Sequence, residues 1–277
     1  MNLVSEVRMR PCNARSIRVL LESMIIAMVF SSAMLAGSWQ QTQQNPPQKP
    51  PPNVPQQVAP PPPPGQRPSG PPASPPEVKK ISDTLLQLGN ILVDTQKKEV
   101  TVSGQMLADR TLEFLASQKA GYKLYESAME LDTDAVSFNL ALILIGLQKS
   151  NAVVPKGHFD PAQAAGDPVE IWVEWGSGDS LRKVRGEELL YDLRANQVPQ
   201  TGGWVYTGST VLPDGRYMAE MDGVLIGFVH DPASLIENSL GAGMGAYGSI
   251  HINPNLKIAG GTPLKLTVKA IPKKNPE

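Results

Sequence analysis

Three histidines, His158, His230 and His251, and a single cysteine, Cys12, are all that this chain of 277 residues offers as imidazole or thiolate metal ligands. None of the histidines stands in a His-x-His or His-Glu-x-x-His spacing, so the local geometries that bring two imidazoles onto one ion are missing. His158 and Asp160 form the nearest ligand pair, in the long segment 148–168, and an ion held there would need further ligands that the sequence does not place. Glu170 and Glu174 flank Trp172 on one strand face, a composition that suits a sugar. At about 3.3 Å per residue their carboxylates lie roughly 13 Å apart, beyond the roughly 5–9.5 Å of a glycosidase pair, which leaves Trp172 as a platform only. Adjacent Glu126 and Ser127 point to opposite faces of a strand, Ser127 inward and Glu126 outward, so they cannot serve together as base and nucleophile. Gly243-Met244-Gly245-Ala246-Tyr247-Gly248 has dinucleotide-loop spacing, but that fingerprint works between a strand and the N-terminus of a helix. Here the expected order is helix then strand.

These patterns give no catalytic residue, no cofactor site and no metal centre. The residues expected to face a ligand are Glu126, His158, Asp160, Trp172 and Tyr247.

The elements that must position them follow from periodicity. Glu99 to Leu107 alternates Val100, Val102, Gly104 and Met106 on one face with Glu99, Thr101, Ser103 and Gln105 on the other, and pairs as a hairpin with Asn90 to Asp94. Further strands are expected at 111–117, 123–131, 169–175, 204–206, 216–219, 223–229, 249–253 and 264–271, with Asp214-Gly215 as a turn. A short helical lead-in is expected at 82–88. Asp134 to Leu147 reads as a helix apolar on nearly every side, buried between layers and stopped at Gly146. Asp231-Pro232 signals a second helix reaching Leu240, and 186–192 a third. The expected fold is α+β and β-rich: mostly antiparallel sheets, a sandwich or half-barrel, with one buried central helix and two short ones.

Ahead of this domain lies a different kind of sequence. Arg8, Arg10, Arg15 and Arg18 precede an apolar run from Val19 to Phe30 and then small residues, the order of a secretory signal, here assigned to 1–38 as signal peptide or N-terminal anchor. Leu35-Ala36-Gly37-Ser38 has the shape of a lipoprotein box with serine in place of cysteine, so no lipid is expected. Residues 39–80 form a Gln/Pro-rich linker; 16 of the chain's 27 prolines fall within 46–76, which excludes helix and sheet and favours an extended, solvated spacer. Six of the 25 Lys/Arg and two of the 26 Asp/Glu precede residue 77, leaving 19 against 24 in 77–277, the stretch that holds the domain at 81–277. That mildly acidic balance lacks the basic face of a nucleic-acid binder.

Within the domain, Asn90-Ile91-Leu92-Val93-Asp94, Tyr125-Glu126-Ser127, Val169-Glu170-Ile171-Trp172-Val173-Glu174-Trp175 and Trp204-Val205-Tyr206-Thr207-Gly208-Ser209 occur in that order. They are followed by Gly223-Val224-Leu225-Ile226, Asp231-Pro232-Ala233-Ser234-Leu235-Ile236 and Gly261-Thr262-Pro263-Leu264. Over about residues 90–271 this order resembles the YdjY-like domains of bacterial envelope and secreted proteins. Members of that family often carry His-Glu-Ser where this chain has Tyr125-Glu126-Ser127, so a role needing an imidazole there is lost. Some sit beside redox and iron–sulfur proteins, and a cysteine-free domain would be at most an accessory to such a system. The expectation is an extracytoplasmic protein, periplasmic or secreted, in which a non-enzymatic module binds an envelope protein or cell-wall component and touches the membrane only through an uncleaved N-terminus. The alternative is an enzyme or redox accessory with a small-molecule pocket walled by 148–168 and 241–248.

Overall fold

Alternation of apolar and polar residues becomes strand wherever the apolar set finds a common core, because each Val, Leu or Ile side chain withdrawn from water contributes about 1.5–3 kcal/mol. The computed structural model describes residues 76–158, 160–242 and 248–272. Its strands are β1 (Val78–Lys80), β2 (Leu85–Leu88), β3 (Ile91–Asp94), β4 (Glu99–Met106), β5 (Phe114–Gln118), β6 (Ser127–Leu131), β7 (Asp167–Trp175) and β8 (Arg182–Arg185). They continue with β9 (Leu190–Asp192), β10 (Trp204–Tyr206), β11 (Val224–Gly227), β12 (Ile236–Asn238), β13 (Ile250–Ile252) and β14 (Pro263–Ala270), and two helices, α1 (Ala135–Leu144) and α2 (Met218–Asp222), interrupt them.

Eight of these strands close on themselves in the order β4-β14-β7-β10-β12-β11-β5-β6, with β6 returning to β4. The fold is therefore a closed β-barrel with few helices, which corrects the expected sandwich or half-barrel. Alternation reveals which face of a strand is buried but not which strand it pairs with. The decisive pairing, Gly104↔Leu131, Gln105↔Glu130 and Met106↔Met129, leaves no local trace. β4 has three neighbours: β14 along one edge, and along the other β3 at Glu99–Val102, then β6 from Gly104 onward. Gly104 permits the change of partner, since a Cβ there would lie 2.3 Å from the Glu130 carbonyl oxygen and 2.9 Å from Leu131 Cδ2. The hairpin β2–β3 and the edge strand β1 extend the sheet outside the barrel, and β8 pairs with β7.

An eight-stranded barrel has an interior just wide enough to be filled by side chains. Val100, Val102, Ile171, Val173, Trp204, Tyr206, Leu266 and Val268 fill this one and are 0–1% exposed. Ligand chemistry is thereby pushed to the outer wall and the rims.

α1 begins and ends where the sequence places it. Asp134 accepts the Ser137 N–H at 2.7 Å and the Ser137 hydroxyl at 2.6 Å, and Gly146 follows the last turn at φ 96°. It packs on β3, β11 and α2 with Ala135, Phe138, Ala141 and Leu142 buried, yet Ile143 is 49% exposed, so the helix is not enclosed between layers. The other expected helices are absent. At 231–238 the Asp231 carboxylate accepts the Ala233 N–H at 2.8 Å, the same hydrogen bond that begins a helix, but it closes a turn and the chain extends into β12 to bury Ile236. At 186–192 one 3-10 turn, Glu187–Leu189, leads into β9, and the lead-in at 82–88 becomes β2 because Leu88 pairs with Ile91 across the Gly89-Asn90 turn. The strand expected at 216–219 is instead the start of α2, five residues being too few to show a period.

Replacing Gly104 with Val should lower stability by about 1–3 kcal/mol through overpacking at the seam. Gly157→Ala, which adds a methyl where nothing lies within 4 Å, should change it by less than about 0.5 kcal/mol. Urea midpoints measure both; equal midpoints for the two variants would contradict closure through Gly104.

Candidate functional site

Two strand pairs in the barrel wall are parallel, β5 with β6 and β11 with β12, and each needs a segment that carries the chain back. Residues 119–126 return from β5 to β6, ending in a 3-10 turn at Tyr122–Glu126, and residues 228–235 return from β11 to β12. Both segments lie against the outward side of the same strands and meet over Phe114, which forms a small apolar cluster with Val224, Ala233 and Met218 apart from the main core. Glu113 stands between them: its N–H donates to the Glu126 carbonyl at 2.9 Å, and its own carbonyl accepts the N–H groups of Phe228 and Val229 at 3.4 Å each.

The side chains gathered here form one electrostatic unit. Lys123 Nζ donates to Glu126 Oε1 at 2.5 Å and to the Tyr125 hydroxyl at 3.2 Å, and lies 5.6 Å from the centre of the Phe114 ring and 5.5 Å from that of Tyr125. The pair is largely removed from water, with side-chain exposures of 19% for Lys123 and 10% for Glu126. Burial alone would lower the Lys123 ammonium, but the hydrogen bond and charge of Glu126, with help from Tyr125, hold it above the ordinary lysine range. Burial, then the negative charge of Glu126 and to a smaller degree Asp231, pushes the Glu113 carboxyl up to about 7 against the opposing pull of Lys123. Near neutral pH this patch therefore holds a fixed cation, a fixed anion and an acid that exchanges its proton. That is a proton donor or acceptor with hydrogen-bonding neighbours.

Glu237 lies one step along the wall. It is completely buried, on the opposite face of β12 from Ile236, and accepts the Asp231 N–H at 3.0 Å; burial raises its carboxyl well above the ordinary range. Gly227 makes room for it, since a Cβ there would fall 2.3 Å from Ser234 Oγ and 2.8 Å from Glu237 Oε1. The segment 228–235 is thus pinned to the wall from beneath.

Of the residues singled out by sequence, only Glu126 is in this unit. Ser127 next to it is buried, its hydroxyl donating to the Lys123 carbonyl at 2.8 Å and sharing a 2.8 Å hydrogen bond with Ser117. Asp160 spends its carboxylate on its own loop, accepting from Lys156 N at 2.7 Å and Ala162 N at 3.0 Å, which lowers its pKa, and its carbonyl lies 3.2 Å from His230 Nδ1. His158 is half-buried in the preceding turn. Among the described residues no group of three or more His, Cys, Asp or Glu side chains could hold a metal ion. Trp172 lies on the outer wall with Arg185 5.0 Å and Lys183 5.4 Å from its ring centre and its Nε1 donating to Glu170 at 3.3 Å. Tyr247 and most of the glycine-rich loop lie outside the described residues. Glu113, Lys123, Asp231 and Glu237 escaped the sequence reading because 113, 123–126 and 231–237 are distant in the chain, and the two parallel crossovers that unite them have no spacing signature.

The raised Glu113 gives a signed pH dependence. The folded state holds this proton more tightly than the unfolded chain, so its contribution to stability is present below the ordinary carboxylate value of 4.5 and is lost as pH rises toward 7. Glu113→Gln, which imitates the protonated acid, should raise the melting temperature relative to the parent at pH 8 and much less at pH 5. A gain that is equal at both values would contradict the assignment.

Among curated proteins and among solved structures, none matches the chain. The YdjY domain matches residues 91–268, from the first residue of β3 into β14, and so takes in all eight barrel strands and both crossovers. The order of residue words along the strands and the extent of this match agree: the chain belongs to the YdjY domain family.

Proposed function

We propose that this is an exported envelope protein that displays its YdjY domain on a proline-rich spacer as a binding module, and that the ligand meets the outer wall at Lys123, Tyr125, Glu126 and Glu113. The observation that carries the reading is the nearly buried Lys123–Glu126 pair beside an acid titrating near neutrality. Fixed charges set in a rigid wall are costly to desolvate, and a polar partner that hydrogen-bonds to them recovers part of that cost. The packed barrel interior directs a partner to the surface, and Ser127, the nearest hydroxyl nucleophile by sequence, is spent on the main chain. The N-terminal signal-like order and the proline tract support export and display.

A second reading rests on Glu113 alone. A carboxyl held at about 7 suits general acid–base work, so the domain would act on, or assist a redox system with, a small polar molecule at the same wall. The pocket expected between 148–168 and 241–248 is not the basis of this reading, since 243–247 lie outside the described residues.

Expression in a bacterial host, with a photo-crosslinking phenylalanine analogue at Tyr125 or, as a control, at exposed Lys265 on β14, tests the first reading. Osmotic-shock release together with one recurrent adduct from position 125 and none from 265 is expected. Retention in the cytoplasm, or identical adducts from both positions, would contradict it. A thermal shift with a flavin, nucleotide or glycan that disappears in Glu113→Gln would favour the second reading instead.

A further inference from the structure

The barrel seam opens a second polar site on the opposite end of β6 from Glu126. Where β4 leaves β3 for β6, the two neighbours diverge and a cleft of about 340 Å³ opens over Gly104, within the range of small-ligand sites. Ser103 and Gln105 rise from β4, Glu130 from β6, and Lys119 and Asp132 flank the mouth.

Every charged group in the cleft is held by the chain itself. Glu130 Oε1 accepts the Ala120 N–H at 2.8 Å and its Oε2 accepts Gln105 Nε2 at 2.8 Å. Asp132 Oδ1 accepts Lys119 Nζ at 2.5 Å and its Oδ2 accepts Asn90 Nδ2 at 2.8 Å. Each carboxylate oxygen keeps lone-pair capacity beyond its one donor, and Gln105, with one of its two amide N–H groups on Glu130, offers its carbonyl. The cleft is therefore rich in acceptors whose positions are fixed before anything binds. Two carboxylates disfavour an anion. An added cation meets the ammonium of Lys119, already seated on Asp132. What fits is a neutral molecule with several O–H donors, since Glu130 on β6 and Asp132 in the bend just past its end both present acceptors into the cleft.

We propose that this seam cleft binds a neutral saccharide through hydroxyl donation to Glu130, Asp132 and the Gln105 carbonyl. The assignment is independent of the ligand at the Lys123–Glu126 wall.

The test is NMR titration of the full domain with glucose, N-acetylglucosamine and their β-1,4 tetramers, with spermidine and citrate as the charged comparisons. Saturable shifts at the amides of Gly104, Gln105 and Glu130 are expected with at least one neutral sugar, at millimolar Kd. Gln105→Ala should weaken binding about tenfold, the loss of one charge-positioning hydrogen-bond group, and Ser103→Trp, an exposed change that fills the cleft, should abolish it. Glu113→Gln should leave it unaltered, which separates this site from the wall. Absence of shifts with all four sugars, shifts only with spermidine or citrate, or binding that survives Ser103→Trp would overturn the proposal.

Discussion

The approach of the Gly104 main chain to the Glu130 carbonyl, closer than any side chain allows, is the constraint on which the molecule depends. Without it β4 would keep only β14 and β3, β6 would keep only β5, and the sheet would remain open. With it, the apolar faces of eight strands turn toward one another, and the interior is filled by residues such as Trp204, Tyr206 and Leu266 rather than by water. Closure thus decides both where the core is and where a ligand cannot be.

Closure also determines what the outer wall carries. A barrel built only from hairpins would have short turns at its ends and a bare wall. The two parallel pairs require return segments, and placing them side by side crowds charged groups that the sequence keeps far apart. The electrostatics are a direct result. Lys123 is stabilised as a cation by Glu126, Glu113 is destabilised as an anion by burial and by that same Glu126, and burial under the 228–235 segment raises the Glu237 carboxyl. Rigidity comes with the charge, because each of these groups stands on, or directly beside, a strand of the wall.

The family was legible from the order of residue words over about residues 90–271, and the strand-rich character, the α1 helix with its Asp134 cap and Gly146 stop, and the alternation of β4, β7 and β14 were legible because each depends on residues within one turn or one strand. Barrel closure was not, because Gly104 looks like any small residue in an alternating run and its meaning lies 26 residues away at Glu130. The helix expected at 231–240 failed for a related reason: an Asp-Pro start satisfies a turn as well as a helix, and only the place beside β11 for Ile236 decides between them. Glu126 was legible as a candidate, though as an outward acid on a strand over 123–131, whereas it ends a 3-10 turn and is largely buried. Its partners Lys123 and Glu113 were not, since they are assembled by two crossovers rather than by spacing.

The claim at the centre of this account is that the crossovers compress Glu113, Glu126 and Lys123 into one electrostatic unit on the wall of a closed barrel. Carbon-13 NMR titration of the glutamate side-chain carboxyls, with Glu113 assigned by substitution, reads that unit directly. A midpoint for Glu113 near 7 is the predicted result. A midpoint in the ordinary glutamate range near 4.5 would mean that Glu113 is solvated and uncoupled from Glu126, and would contradict the account.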